Sequence, residues 1–85
     1  MPKVLMYCTA VCPYCVLAER LLRARGVTEI EKIRVDLQPE LRLKMMEMTG
    51  GRTVPQIYID THLVGTYDNL VKLENNGELN RLLQN

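Results

Sequence analysis

Apolar and polar positions along this chain change period several times, and each change marks an element. Val4-Leu5-Met6-Tyr7 is an unbroken apolar run, as expected of a strand buried on both faces. From Pro13 the period becomes helical: Tyr14, Leu17, Ala18, Leu21 and Leu22 fall on one face. Pro13 suits a first turn, where its missing N–H costs nothing, so the helix should start at or beside Cys12. Arg20, Arg23 and Arg25 suit its last turns as a solvated face, and Gly26 the position just past its end.

Ile33, Val35 and Leu37 alternate with Arg34 and Asp36, which predicts a second strand. Pro39 opens a second helix with Leu41, Met45 and Met48 inward and Met46 outward, ending at Gly50-Gly51. Two short strands, Gln56-Ile57-Tyr58-Ile59 and Leu63-Val64-Gly65, flank a turn of Asp60-Thr61-His62. Asp68 suits the N-cap of a third helix through Leu70, Val71 and Leu73. Asn75-Asn76-Gly77 breaks it, and a last turn carries Leu79, Leu82 and Leu83. The order β-α-β-α-β-β-α describes a small α/β fold. The first two strands, joined through a helix, should be parallel, and the last two, joined by a tight turn, antiparallel.

Composition narrows the field. The 85 residues suffice for one domain, expected to span 1–85. With 11 basic against 10 acidic residues the formal net charge is +1, so there is no electrostatic reason to expect nucleic acid or a membrane surface as partner. No run approaches the roughly 20 apolar residues of a membrane span, and the first residues lack the apolar region of a secretory signal. A cytoplasmic location is expected, where thiols are kept reduced.

All three cysteines lie in Cys8-Thr-Ala-Val-Cys12-Pro-Tyr-Cys15. They could ligate a metal, form a structural disulfide or exchange electrons. A structural zinc site usually takes four ligands. Here one Cys-x2-Cys pair is joined only by Cys8 and by His62, which falls in a predicted turn. No metal is expected; Met45, Met46 and Met48 read as helix packing rather than a soft-metal cluster. A reducing compartment argues against a static disulfide. The redox use explains more. At a strand-to-helix junction the first sulfur of Cys-x-x-Cys lies over the helix N-terminus, whose unpaired N–H groups and dipole favour the thiolate. A free thiol ionises near pH 8.5, whereas in such motifs the value falls to about 3.5–7.5. Cys12 should then be the nucleophile and Cys15, one turn on, the buried resolving thiol.

With Cys12-Pro13-Tyr14-Cys15 on that junction, the chain resembles the dithiol glutaredoxins, and most of all the short bacterial ones. Thr53-Val54-Pro55-Gln56-Ile57 matches the family's Thr-Val-Pro segment before the third strand. Gly65-Thr66-Tyr67-Asp68-Asn69-Leu70 sits where the family usually has Gly-Gly-x-Asp-Asp-Leu. The resemblance implies a thioredoxin-like fold: a four-stranded mixed sheet, two strands parallel and two antiparallel, flanked by helices, with a cis peptide between Val54 and Pro55. It also implies glutathione as co-substrate, paired through its backbone with Val54 as an added strand would be. Its γ-glutamyl carboxylate would meet the helix start at Asp68 and Asn69. Thr9, Pro13, Tyr14, Arg52, Thr53, Pro55, Gln56, Gly65 and Thr66 complete the implied groove, Arg52 toward the glycyl carboxylate.

The expected partners are glutathionylated or disulfide-bonded proteins, with ribonucleotide reductase as one candidate, and the expected state is a monomer. Three positions depart from the family pattern. Thr9 stands where many relatives carry lysine, Thr66 replaces the second glycine and Asn69 the second aspartate. These changes bear on glutathione affinity more than on thiol chemistry. Two further readings use the same residues: a redoxin reduced by thioredoxin reductase, and a glutathione-assisted iron–sulfur scaffold, which proline after the first cysteine disfavours. Cys8 reads as a bystander at a strand end or as a site of oxidation.

Overall fold

The computed structural model describes residues 2–84. The element order is β1 (Val4–Cys8), α1 (Pro13–Ala24), β2 (Ile30–Arg34), α2 (Pro39–Thr49), β3 (Gln56–Ile59), β4 (His62–Gly65), α3 (Tyr67–Asn75) and α4 (Glu78–Leu83). The four strands form one sheet in the order β2-β1-β3-β4. β1 pairs parallel with β2, from Val4 opposite Ile30 to Cys8 opposite Arg34, and antiparallel with β3, from Val4 opposite Ile59 to Tyr7 opposite Gln56. β3 and β4 are antiparallel, with an irregularity between Ile57 and Tyr58.

Alternation along β1 divides the interior in two. Val4, Met6 and Cys8 pack with Cys15, Ala18 and Leu22 of α1, Leu70 of α3, and Leu79 and Leu83 of α4. Tyr7 packs on the other face with Val35 and Met45, supported by Leu5, Ile33 and Leu41. A strand covered on both sides has no polar position to offer, which is why β1 reads as an unbroken apolar run.

Several expectations need correction. The stripe of α1 that is buried is Cys15, Ala18 and Leu22, whereas Tyr14 and Leu17 are 59% and 39% exposed. β2 ends at Arg34, so Leu37 lies beyond the strand and is exposed. On α2, Met46 packs against the smaller cluster while Met48 is exposed; its Sδ accepts from the Tyr7 hydroxyl at 3.7 Å. His62 opens β4, which leaves Asp60-Thr61 as the turn. The N-cap of α3 is Thr66, not Asp68. The other punctuation follows the sequence: Pro39 in the first turn of α2, and Gly50 left-handed at its C-cap (φ 75°).

Candidate active site

β1 ends at Cys8, and the three residues Thr9–Val11 carry the chain from the sheet to Cys12. Cys12 is extended (φ −148°, ψ 93°) and caps α1, with Pro13 as the first helical residue. A capping side chain faces the unpaired N–H groups of the first turn. Here the cap is a sulfur: Cys12 Sγ accepts from the Cys15 N–H at 3.2 Å. No acidic residue lies in that turn to oppose a thiolate. The two sulfurs are joined in a disulfide, their Cα atoms 5.2 Å apart. Burial makes the pair unequal. Cys15 is 7% exposed and belongs to the core, while Cys12 is half-buried at its edge. An incoming thiol or disulfide therefore meets Cys12 first.

A groove of about 370 Å³ runs beside this junction, lined by Tyr14, Thr53, Val54, Pro55, Thr66, Tyr67 and Asp68. The Val54–Pro55 peptide is cis. Val54 precedes the β1–β3 ladder, whose register starts at Gln56, so strand pairing does not take up its peptide groups. The opposite wall is the start of α3. Gly65 has φ 100°, a conformation side-chain-bearing residues rarely adopt, and Thr66 Oγ1 accepts from the Asn69 N–H at 3.4 Å. Asp68 sits in that first turn, where its charge suits the helix dipole.

Other residues anticipated for the groove occupy different places. Gln56 is buried and donates its side-chain amide to the Thr53 carbonyl at 3.1 Å, bracing the groove from behind. Arg52 is exposed, and its carbonyl accepts from Arg42 at 3.1 Å. Gly65 and Asn69 shape the start of α3 without lining the groove, and Pro13 is exposed at the start of α1. Thr9 lines a second cavity, of about 250 Å³, with Cys8, Cys12, Cys15, Lys32 and Arg34. Burial pushes the Cys8 thiol above its ordinary value, against a lowering by Lys32 and Arg34. Tyr67 went unread in the sequence. Its ring lies 6.0 Å from that of Tyr14 and lines the groove with it, and its only signal was an aromatic at the family's variable position.

Residues 4–64 match the Glutaredoxin family model. The chain belongs to the glutaredoxin family. It is 46% identical over 83 residues to a glutaredoxin of Neisseria meningitidis, covering 98% of each chain. The solution structure of glutaredoxin from Brucella melitensis is 42% identical with a TM-score of 0.84, across 98% of this chain and 89% of that one. Crystalline wheat glutaredoxin superposes with a TM-score of 0.88 at 29% identity, across 96% and 79%. The sheet described above is thus the thioredoxin-like fold of this family, one parallel pair with the rest antiparallel. Glutaredoxins are thiol–disulfide oxidoreductases, and the paired Cys12 and Cys15 fit that chemistry. Among the described residues no cluster of His, Cys, Asp or Glu has metal-binding geometry, and no helix is long and apolar enough to cross a membrane.

Proposed function

We propose that this glutaredoxin is glutathione-dependent, with Cys12 as nucleophile and Cys15 as resolving thiol. The observation that carries the reading is the groove flanked by Tyr14, Val54, Thr66 and Asp68 beside the half-buried Cys12. Its volume falls in the range of small-ligand sites. The free peptide groups of Val54 suit an extended peptide, and the start of α3 suits a carboxylate.

On a glutathionylated protein, the Cys12 thiolate attacks the glutathione sulfur. The Cys12–glutathione disulfide forms and the protein thiolate leaves. A second glutathione thiolate then attacks that glutathione sulfur, releasing oxidised glutathione and restoring Cys12. On a protein disulfide, the Cys12 thiolate attacks one sulfur, breaking the protein S–S bond, forming a mixed disulfide and releasing the other sulfur as a thiolate. Cys15 attacks Cys12 Sγ, expelling the second protein thiolate and leaving the Cys12–Cys15 bond. Two glutathione molecules reduce that bond in turn. Potentials of about −200 to −230 mV for this class let the cycle run either way near the cytosolic poise. A cytoplasmic location, a single domain and a monomeric state belong to the same reading; the buried free thiol of Cys8 is at home in a reducing compartment.

The test is turnover of a glutathione mixed disulfide, driven by glutathione with glutathione reductase or by thioredoxin reductase alone. Activity with glutathione, abolished in Cys12→Ser and retained in Cys15→Ser, is expected. Activity with thioredoxin reductase only would refute the glutathione dependence.

A further inference from the structure

The loop that delivers Cys12 to α1 is held from outside near its middle. Thr9 uses its hydroxyl within the loop, donating to the Val11 carbonyl at 3.2 Å. Ala10 and Val11 are exposed, so packing does little to fix them. Among the described residues, the hydrogen bond joining Thr9–Val11 to another part of the fold is Ala10 N–H to Asp36 Oδ2, at 3.2 Å. Asp36 lies just past β2 and is itself clamped. Arg34 donates Nε to Oδ1 at 2.6 Å and Nη2 to Oδ2 at 2.7 Å. A guanidinium fork fixes the plane of a carboxylate as well as attracting it. Arg34 is anchored in turn by its place opposite Cys8, and the Val35 N–H donates to the Cys8 carbonyl at 3.0 Å. The circuit runs from the end of β1 through Arg34 and Asp36 back to Ala10, two residues before Cys12. The same contacts hold the Asp36 carboxyl well below the usual carboxylate range, chiefly through Arg34 and next through the Ala10 N–H. The acceptor therefore keeps its charge wherever thiols react.

The geometry points to Asp36 as a positioning residue for Cys12: its carboxylate, oriented by Arg34, pins Ala10 and so holds the Cys12 sulfur over the first turn of α1. This rests on the nucleophilic role proposed for Cys12. The reason is the steep distance dependence of the stabilisation. Helix-end N–H groups favour a thiolate only within the first turn, so a loop that wanders lowers the thiolate fraction.

A carboxylate near a reactive sulfur has an opposite effect if only its charge matters. Repulsion disfavours the thiolate, and removing the charge should then make Cys12 more reactive. The two roles differ in sign. In a Cys15→Ser parent, alkylation of Cys12 by iodoacetamide is followed against pH by mass spectrometry of the Cys12 peptide. Positioning predicts that Asp36→Ala slows alkylation at pH 7 by about 3- to 10-fold and moves the profile to higher pH. Asp36→Asn keeps an oxygen for the Ala10 N–H but gives up the two-oxygen clamp of Arg34, and should slow alkylation less than Asp36→Ala does. Faster alkylation in both variants, or an Asp36→Ala rate equal to the parent, overturns the inference. If Asp36→Ala does not fold, Arg34→Gln, which leaves Asp36 present but unclamped, should show slowing of the same sign, and an unchanged rate there overturns it too. Slow alkylation in the parent itself, at the rate of an unactivated thiol, would instead count against Cys12 as the nucleophile. No electron donor enters the assay, so that outcome is separate from the question of glutathione.

Discussion

Leu17 and Leu22 are chemically identical side chains on α1 with different neighbours. Leu22 is fully buried among Val4, Met6 and Leu70 in the larger cluster, and Leu17 is 39% exposed. Truncating a buried leucine removes its transfer energy and leaves a cavity. Leu22→Ala should therefore cost about 2–5 kcal/mol, and Leu17→Ala less than about 1 kcal/mol, because solvent already reaches it. Urea unfolding of both variants measures this, and equal losses would contradict the packing described. The sequence reading put both leucines on one face with Tyr14, Ala18 and Leu21, because the larger residues dominate a reading by hydrophobicity; in the fold the inward stripe is Cys15, Ala18 and Leu22. Packing favours the stripe whose small members, Cys15 and Ala18, let the helix approach the sheet. The Cys12–Cys15 pair at the start of α1 was legible because Cys-x-x-Cys at a strand–helix junction is chemical as well as periodic. Tyr67 was not, because its role comes from the Tyr14 ring, 53 positions earlier in the chain.

At the level of elements, the sequence placed the four strands and the first three helices but not every end, and it read the helix Glu78–Leu83 as a last turn. β2 stops at Arg34 because its pairing partner β1 stops at Cys8. The alternation of Ile33, Val35 and Leu37 cannot show where a neighbouring strand runs out. The start of α3 was misplaced for another reason: the sequence reading took Asp68 as the cap, but threonine caps helices too, and the backbone selects Thr66. That start also lines the groove proposed for glutathione, so its geometry tests that proposal. At Gly65, with φ 100°, an added Cβ would meet the Asn69 side-chain nitrogen at 2.5 Å. Gly65→Ala should cost about 1–3 kcal/mol in strain. It should also raise the KM for a glutathione mixed disulfide by displacing Thr66 and Asp68. Thr66→Ala removes the cap, at about 0.5–2 kcal/mol, together with a groove-lining hydroxyl, and Thr66→Ser should restore both. Thermal unfolding with steady-state kinetics on the three variants separates the effects. A Gly65→Ala protein as stable as the parent would show that the left-handed turn is not required.

For the whole molecule, the two faces of the sheet share one vulnerability at high pH. Cys8 faces α1 and Tyr7 faces α2, and burial is the first cause raising the ionisation of both. A group whose value is higher in the folded state keeps its proton there after the unfolded chain has released it. Its contribution to stability is complete below the unfolded value and is lost as pH rises through the folded one. Stability should therefore fall above about pH 8.5, where unfolded thiols begin to ionise, and further near pH 10 with tyrosine. On the acid side the signs reverse. Glu19, lowered chiefly by its hydrogen bond from Lys32, and Asp36, lowered chiefly by Arg34, stay ionised in the fold when the unfolded chain takes up protons. Their contribution is present above about pH 4 and lost as pH falls below it. The expected profile is a plateau between these limits. Urea midpoints of the Cys12–Cys15 disulfide form, where Cys8 is the one thiol that titrates, measure it from pH 3 to pH 10.5. Cys8→Ser should flatten the first part of the alkaline fall and leave the later, tyrosine-driven part. A midpoint that holds steady or rises from pH 8 to 10.5 would mean that neither buried group is linked to folding.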